Sequence, residues 1–314
     1  MNKIKIPDYS IVVPVYNSYE SLEELFQRIE QTMNKLEKSF EVLFVDDDSS
    51  DASWDKLELI QRTNPDTVTA IRLARNFGQH NATICGITQA SGEFIITIDD
   101  DLQNPPEEIS KLINTMHDSD ADLVYGIYSQ KQHSFARNLG SSALKASSRR
   151  ILRTKGNGSS FRLMKSSLGK CLLNHQLNFI FIDELFNWYT NHIEFVMVEH
   201  HKRPYQKSTY TSHLLISMFS NLVIYYTVIP LRMMVYGGFI SSFLSLLTGL
   251  VFIYRKLMHH VPLGFTALIV AILFSTSIIL LSLGVIGEYL RRIYMVQNRK
   301  PSFAIKTLLR HEIL

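Results

Sequence analysis

The chain has 314 residues, enough for a sizeable core and one or two domains. Its formal charge of +3 is close to balance, which speaks against a nucleic-acid binder with a strongly basic face. Charged residues nearly vanish between about 212 and 287, a composition shift that marks a domain boundary.

The N-terminus, MNKIKIPDYSIVV, enters a strand almost at once. It lacks a long apolar stretch followed by a small-residue cleavage site, so a cleaved signal peptide is not expected. From 9 to 127, apolar β-rich runs (9–16, 40–46, 67–73, 93–99 and 121–127) alternate with helical stretches. The first helix carries Leu22, Leu25, Phe26, Ile29, Met33 and Leu36 on one stripe. This alternation predicts an α/β domain with an open, mostly parallel sheet. In such sheets ligands sit beyond the carboxyl ends of the strands. Cys85 and Cys171 form no CxxC pair and are expected to be buried free thiols.

The strand ends carry the unusual chemistry. The first ends in VVPVYN, with Pro14, Tyr16 and Asn17 at a turn. The second ends in VDDDSSDAS, whose carboxylates can accept hydrogen bonds from a base or ribose and where Asp51 is the expected N-cap of the next helix. The third runs through Arg75 into RNFGQH, a cation and backbone N–H groups suited to an anion. The fourth ends in Asp99, Asp100 and Asp101. On a strand, Asp99 and Asp101 face one side together and Asp100 the other. Two carboxylates plus diphosphate oxygens make a hard-oxygen site for Mg²⁺ or Mn²⁺, to which Gln103 can add a ligand or hydrogen bond. The competing reading is a solvated acidic turn that caps the helix after Pro105 and Pro106. No dinucleotide-type or P-loop glycine motif is present.

Further on, Asp183 and Glu184 offer a base or a hydroxyl-accepting contact, or are simply carboxylates at a helix N-terminus. Arg149, Arg150, Arg153, Arg162, Arg203 and Lys207 are candidates to hold an anionic group near a membrane, or to attract anionic lipid heads. His200 and His201 read as structural or surface residues rather than metal ligands. Residues 212–230 read as interfacial amphipathic helices. Two uncharged stretches, 233–254 and 261–286, each reach the roughly 20 residues needed to cross a bilayer. They predict a transmembrane hairpin within 231–290, followed by a basic tail over 291–314. The flanking Lys and Arg residues place both chain ends in the cytoplasm. Gly237, Gly238, Ser241, Ser242 and Ser245 permit close helix packing.

VVPVYN, FVDDDSSD, RNFGQH, IDDDLQNPPEE and the paired C-terminal spans occur in the order and spacing of family 2 glycosyltransferases acting on polyprenyl phosphates. The chain resembles bactoprenol glucosyltransferases, undecaprenyl-phosphate aminoarabinose-type transferases and dolichyl-phosphate mannose synthases. The resemblance implies a GT-A-type catalytic domain over 1–211. It matches Pro14, Tyr16, Val45 and Asp47 to nucleotide contacts, with Asn17 and Asp100 beside them. It matches Arg75 and Arg137 to basic positions near the diphosphate, and Asp99, Asp101 and Gln103 to the metal site. It also implies one sugar per cycle, because the processive signature QxxRW is absent, and a homo-oligomer such as a tetramer. The expected partners are a nucleotide-sugar, with UDP leading, a polyprenyl phosphate and the lipid bilayer of an inner (plasma) membrane. The expected reaction is a direct inverting displacement.

The sequence departs from the family pattern at Ser18, at Asp48 in place of glycine, at Ser160 in place of an acid, and over 206–210. A phosphate monoester is largely dianionic at neutral pH, so losing the acid at Ser160 does not imply a dead enzyme. A catalytically silent scaffold and transfer to another lipid are the competing expectations.

Overall fold

A computed structural model describes residues 6–128, 159–172, 182–201, 264–297 and 301–310, with scattered helical positions between 234 and 258. The chain divides into two units, 1–210 with 301–314, and 211–300.

The first unit holds an eight-stranded sheet in the order β7-β5-β6-β4-β1-β2-β3-β8. Strands β1 (Tyr9–Val15), β2 (Phe40–Asp46), β3 (Val68–Leu73) and β4 (Phe94–Thr97) form its parallel centre. Helices α1 (Leu22–Lys35), α2 (Ser53–Thr63), α3 (Gln79–Gln89) and α4 (Ile109–Ser119) lie between the strands in sequence. Strand β1 is buried along its whole length. Ile11, Val13 and Val15 enter one core with the buried faces of α1, α2 and α4, while Val12 enters a second core with α3. That is why β1 reads as a continuous apolar run rather than an alternating one. Each such fully buried Leu, Ile or Phe contributes roughly 1.5–3 kcal/mol, so the two cores dominate stability.

The order of the central strands fixes where a site can be. From β1 the chain moves outward through β2 and β3, then returns so that β4 pairs with the opposite edge of β1. The direction reverses between β1 and β4, which opens a crevice at their carboxyl ends. Helix α3 packs close beneath it. A Cβ on Gly86 would collide with the Val12 side chain, so only glycine fits there.

The remaining strands are short and pair over long distances. Strand β5 (Leu123–Ile127) pairs antiparallel with β6 (Arg162–Lys165) and parallel with β7 (Ile193–Met197). Helices α5 (Ser166–Cys171) and α6 (Ile182–Tyr189) connect them. Part of the basic tail expected over 291–314 is a strand. Its residues Ile305–Leu309 form β8, antiparallel to β3, with Ala74 N–H donating to Ala304 O at 2.8 Å. Leu309 and Phe303 supply the apolar contacts that hold β8 on the two cores. Cys85 is buried as expected, whereas Cys171 is half-buried.

In the second unit, α7 spans Phe265–Gln297 and is long and apolar enough to cross a membrane over Phe274–Arg291. It is the one such helix among the described residues. The expected span over 233–254 falls largely outside them, as do the interfacial helices over 212–230. Helix α7 continues eleven residues past the expected end at 286, through an ion pair between Arg291 and Glu288 at 2.8 Å.

Candidate active site

The crevice between β1 and β4 is lined by loops locked to one another through side chain–backbone bonds. Tyr16 follows β1 with its ring exposed, and its N–H donates to Asp100 Oδ2 at 3.1 Å. Asn17 has φ 54°, and its side-chain oxygen accepts the Ser50 N–H at 2.8 Å. Asp48 has φ 58°, the left-handed region where glycine is easiest and Asp or Asn next best. The acid standing where the family has glycine therefore keeps a glycine-like backbone. Asp51 sits one residue ahead of the α2 N-cap, Ala52, and accepts the Ser53 N–H at 3.0 Å.

Asp47 is committed to the loop after β3. Its two oxygens accept the Phe77 and Gly78 N–H groups, both at 2.7 Å. Burial pushes its carboxyl up to about 6, against the lowering effect of those two bonds. Gly78 has φ 91°, which only glycine adopts readily, and α3 starts immediately after it. Arg75 projects from this loop, with its guanidinium 4.7 Å from the Phe77 ring centroid. Pro14 and Val45 are register partners at the ends of β1 and β2. The Val45 side chain is in the second core, which leaves its backbone as the part able to face a ligand.

Strand β4 ends at Thr97, so the three aspartates lie in the turn after it, where strand alternation does not set their directions. Asp100 turns toward β1, where burial pushes its carboxyl up to about 7. Asp99 accepts Gln79 Nε2 at 2.6 Å on one oxygen and the Ser160 hydroxyl on the other. Asp101 accepts the Gln103 N–H at 3.0 Å, and Gln103 O in turn accepts the His201 N–H at 2.8 Å. Tyr128, just past β5, lies within the field of both Asp99 and Asp101. Burial first, then those two charges, raise its phenol above the ordinary value. The Tyr128 ring stacks on His200 at 4.2 Å, and both line a pocket of about 540 Å³ with Lys111, Glu199 and His201.

Do these residues fit a divalent metal? No group of three His, Cys, Asp or Glu side chains poised for a metal occurs among the described residues. Asp99 and Asp101 are hard oxygen donors, and each carboxylate oxygen has room for more than one partner. The donor set therefore fits an ion that completes its coordination with substrate oxygens and water, not one caged by protein alone.

Asp183 and Arg162 also require correction. Arg162 is 3% exposed, its Nη1 is ion-paired with Asp183 Oδ1, its Nε donates to Thr97 Oγ1 at 3.1 Å, and its guanidinium lies 5.4 Å from the Phe186 ring centroid. Asp183 Oδ1 also accepts the Tyr125 hydroxyl at 2.9 Å. A buried guanidinium so engaged does not reach a lipid headgroup, and the paired carboxylate is poorly placed to act as a base. Nearby, burial lowers the His80 imidazole below its usual range. Glu184 lies on α6, but its side chain is outside the described residues, as are Arg137, Arg149, Arg150, Arg153, Arg203 and Lys207. Sequence reasoning missed Thr97 and Tyr128. Thr97 had a signal, as the lone polar side chain of β4, two residues ahead of the acidic run.

Comparisons with known proteins identify the family. Residues 10–187 match Glycosyl transferase family 2. The chain is 32% identical over 315 residues to the undecaprenyl-phosphate 4-deoxy-4-formamido-L-arabinose transferase of Pseudomonas syringae pv. syringae, covering 99% of this chain and 93% of the relative. The Klebsiella pneumoniae protein of that name is 32% identical over 309 residues, covering 96% and 93%. Among solved structures, the Mycobacterium tuberculosis glucosyl-3-phosphoglycerate synthase in complex with phosphoglyceric acid is similar at TM-score 0.48 and 17% identity, over 69% of this chain and 78% of that one. The Pyrobaculum calidifontis mannosyltransferase in complex with GDP-Man and Mn²⁺ is similar at TM-score 0.45 and 19% identity, over 63% and 59%. With the family match covering more than half its length and full-length relatives at 32% identity, the chain belongs to glycosyl transferase family 2.

Proposed function

We propose that the protein transfers one sugar from a nucleoside-diphosphate sugar, UDP-linked in the leading case, to a polyprenyl phosphate such as undecaprenyl phosphate at the cytoplasmic face of the inner membrane. The observation that carries this reading is the division of the acidic run at the switch point. Asp100 accepts the Tyr16 N–H, while Asp99 is held by Gln79 and the Ser160 hydroxyl and Asp101 lies one residue past Asp100 in the same turn. Full-length similarity to proteins named as undecaprenyl-phosphate sugar transferases supports the acceptor class.

The roles follow from position. Tyr16 offers an exposed ring to stack on a base, and Asn17 and Asp47 hold the loops around it. Arg75, exposed on the loop after β3, is proposed to meet the diphosphate together with Arg137. Asp99 and Asp101 would hold Mg²⁺ or Mn²⁺, which when bound offsets the negative charge of the departing diphosphate. The attacking group is an oxygen of the lipid phosphate, and the bond broken is that from the anomeric carbon to the nucleotide diphosphate. Inversion follows from a single displacement. A phosphate with its second pKa near about 6 is already dianionic at pH 7 and needs no base. That agrees with Ser160 in place of an acid and with Asp183 held by Arg162 and Tyr125.

Arg149, Arg153, Arg203 and Lys207 are proposed to hold the acceptor phosphate; Arg162 leaves that set. Helix α7, with Leu268, Ile272, Phe274, Leu280 and Leu283 turned outward, supports membrane anchoring, and the 233–254 segment is its proposed hairpin partner.

The test is transfer by purified protein in detergent, with undecaprenyl phosphate, a panel of radiolabelled nucleotide sugars and Mn²⁺ or Mg²⁺. Label should enter the lipid phase only with metal and with Asp99 and Asp101 intact. Equal transfer by D99A/D101A would sink the reading.

A further inference from the structure

A row of polar contacts runs from the interior to Asp99. Tyr125 donates to Asp183, Asp183 pairs with Arg162, and Arg162 Nε donates to Thr97 Oγ1 at 3.1 Å. Thr97 Oγ1 donates to Ser160 O at 2.5 Å, and the Ser160 hydroxyl donates to Asp99 Oδ2. Tyr125, Thr97 and Arg162 are each under 5% exposed. The directions are forced. A guanidinium has donors only, so Thr97 must accept from it and has a single proton left, which goes to Ser160 O. A carboxylate accepts only, so the Ser160 proton goes to Asp99.

We propose that the Arg162–Asp183 ion pair is a positioning device for the reaction. By fixing the Thr97 hydroxyl it holds the Ser160 backbone, and Ser160 then sets the orientation of Asp99. No proton passes along the row, because the link through Ser160 runs from its carbonyl to its side chain. Ser160 thus acquires a definite task at the position where relatives of the pattern carry an acid. Aspartate there would set a like charge against Asp99, whereas the serine hydroxyl donates to it. The inference rests on the reading of Asp99 and Asp101 as the metal-holding pair. Partners that orient a metal ligand typically change metal affinity by about 10–100-fold when removed. A donated hydrogen bond also draws charge from Asp99, which acts the other way, but loss of orientation is the larger effect.

The experiment measures Mn²⁺ binding by electron paramagnetic resonance, with and without UDP, on full-length protein in detergent, beside thermal unfolding. S160A and T97V should each weaken Mn²⁺ binding about tenfold or more. T97S, which keeps the hydroxyl, should restore it, and the KM for undecaprenyl phosphate should stay unchanged in S160A. The proposal is overturned if S160A and T97V bind Mn²⁺ as the wild type does while D99A/D101A does not, or if T97S is as weak as T97V. If D99A/D101A itself binds Mn²⁺ normally, the metal reading fails instead. Should T97V not fold, S160A decides alone, since Ser160 is only half-buried and its hydroxyl can be removed without emptying the core.

Discussion

The two halves of the site satisfy their charges in different ways. On the β1–β2 half, Asp47 and Asp100 accept backbone N–H groups from neighbouring loops, and Asp51 accepts that of Ser53 two residues on. On the β6–α6 half, Arg162 and Asp183 satisfy each other. Backbone donors are present whatever the neighbouring side chains, so the first arrangement holds loops in place and leaves cations such as Arg75 facing outward. A side-chain pair is all or nothing: both charges are buried together, and neither remains for a ligand. The difference teaches that a charged residue near a site need not be part of its chemistry.

The largest effect tests the role of the aspartates. D99A/D101A should lower transfer by more than about a thousandfold, as loss of a charge-stabilising element does, with little change in thermal midpoint. Removing one partner of the buried pair is next. R162A or D183A should lose about 3–5 kcal/mol of stability, read from denaturant unfolding. R162M/D183L should recover most of that, because an apolar pair leaves no unpaired charge. E184Q is expected to retain turnover within about threefold, since the acceptor phosphate needs no base.

A subtler effect concerns Asp47, which is 3% exposed and whose carboxyl is pushed to about 6 in the folded protein. Its folded value lies above its unfolded one. Its contribution is therefore most favourable below about pH 4 and is lost as pH rises through about 6. Against D47N, the wild type should lose ground over that window by on the order of 3 kcal/mol at most. A gap in stability that stays flat from pH 4 to 7 would contradict the assigned shift. The smallest effect is on the surface. Arg28 reaches Glu107 with two bonds of 2.9 and 2.8 Å, and R28A should cost no more than about 1 kcal/mol.

The same contrast explains what could be read from the sequence. The five apolar runs became β1 to β5 because each carries its own signal, and β2 begins and ends where expected. The acidic strand ends pointed to the crevice because in a parallel sheet those ends share one edge. Strands β6, β7 and β8 were missed. They are four or five residues long and are set by partners far away, as in the pairing of Leu73 with Ile305. Arg162 and Asp183 were read as ligand-facing because nothing local distinguishes a buried charge from an exposed one. Their pairing spans 21 residues and exists only once β6 and α6 have packed. That the Val45 side chain is buried was not legible for a similar reason, since which face of β2 meets α3 is decided by the fold.

The most direct measurement is the initial rate of transfer to undecaprenyl phosphate against undecaprenol, with the same donor, metal and detergent. The phosphate should be labelled rapidly and the alcohol essentially not at all, because a dianionic phosphate needs no base whereas a hydroxyl does, and Ser160 stands where an acid would activate it. Equal rates, or transfer to the alcohol alone, would contradict the account.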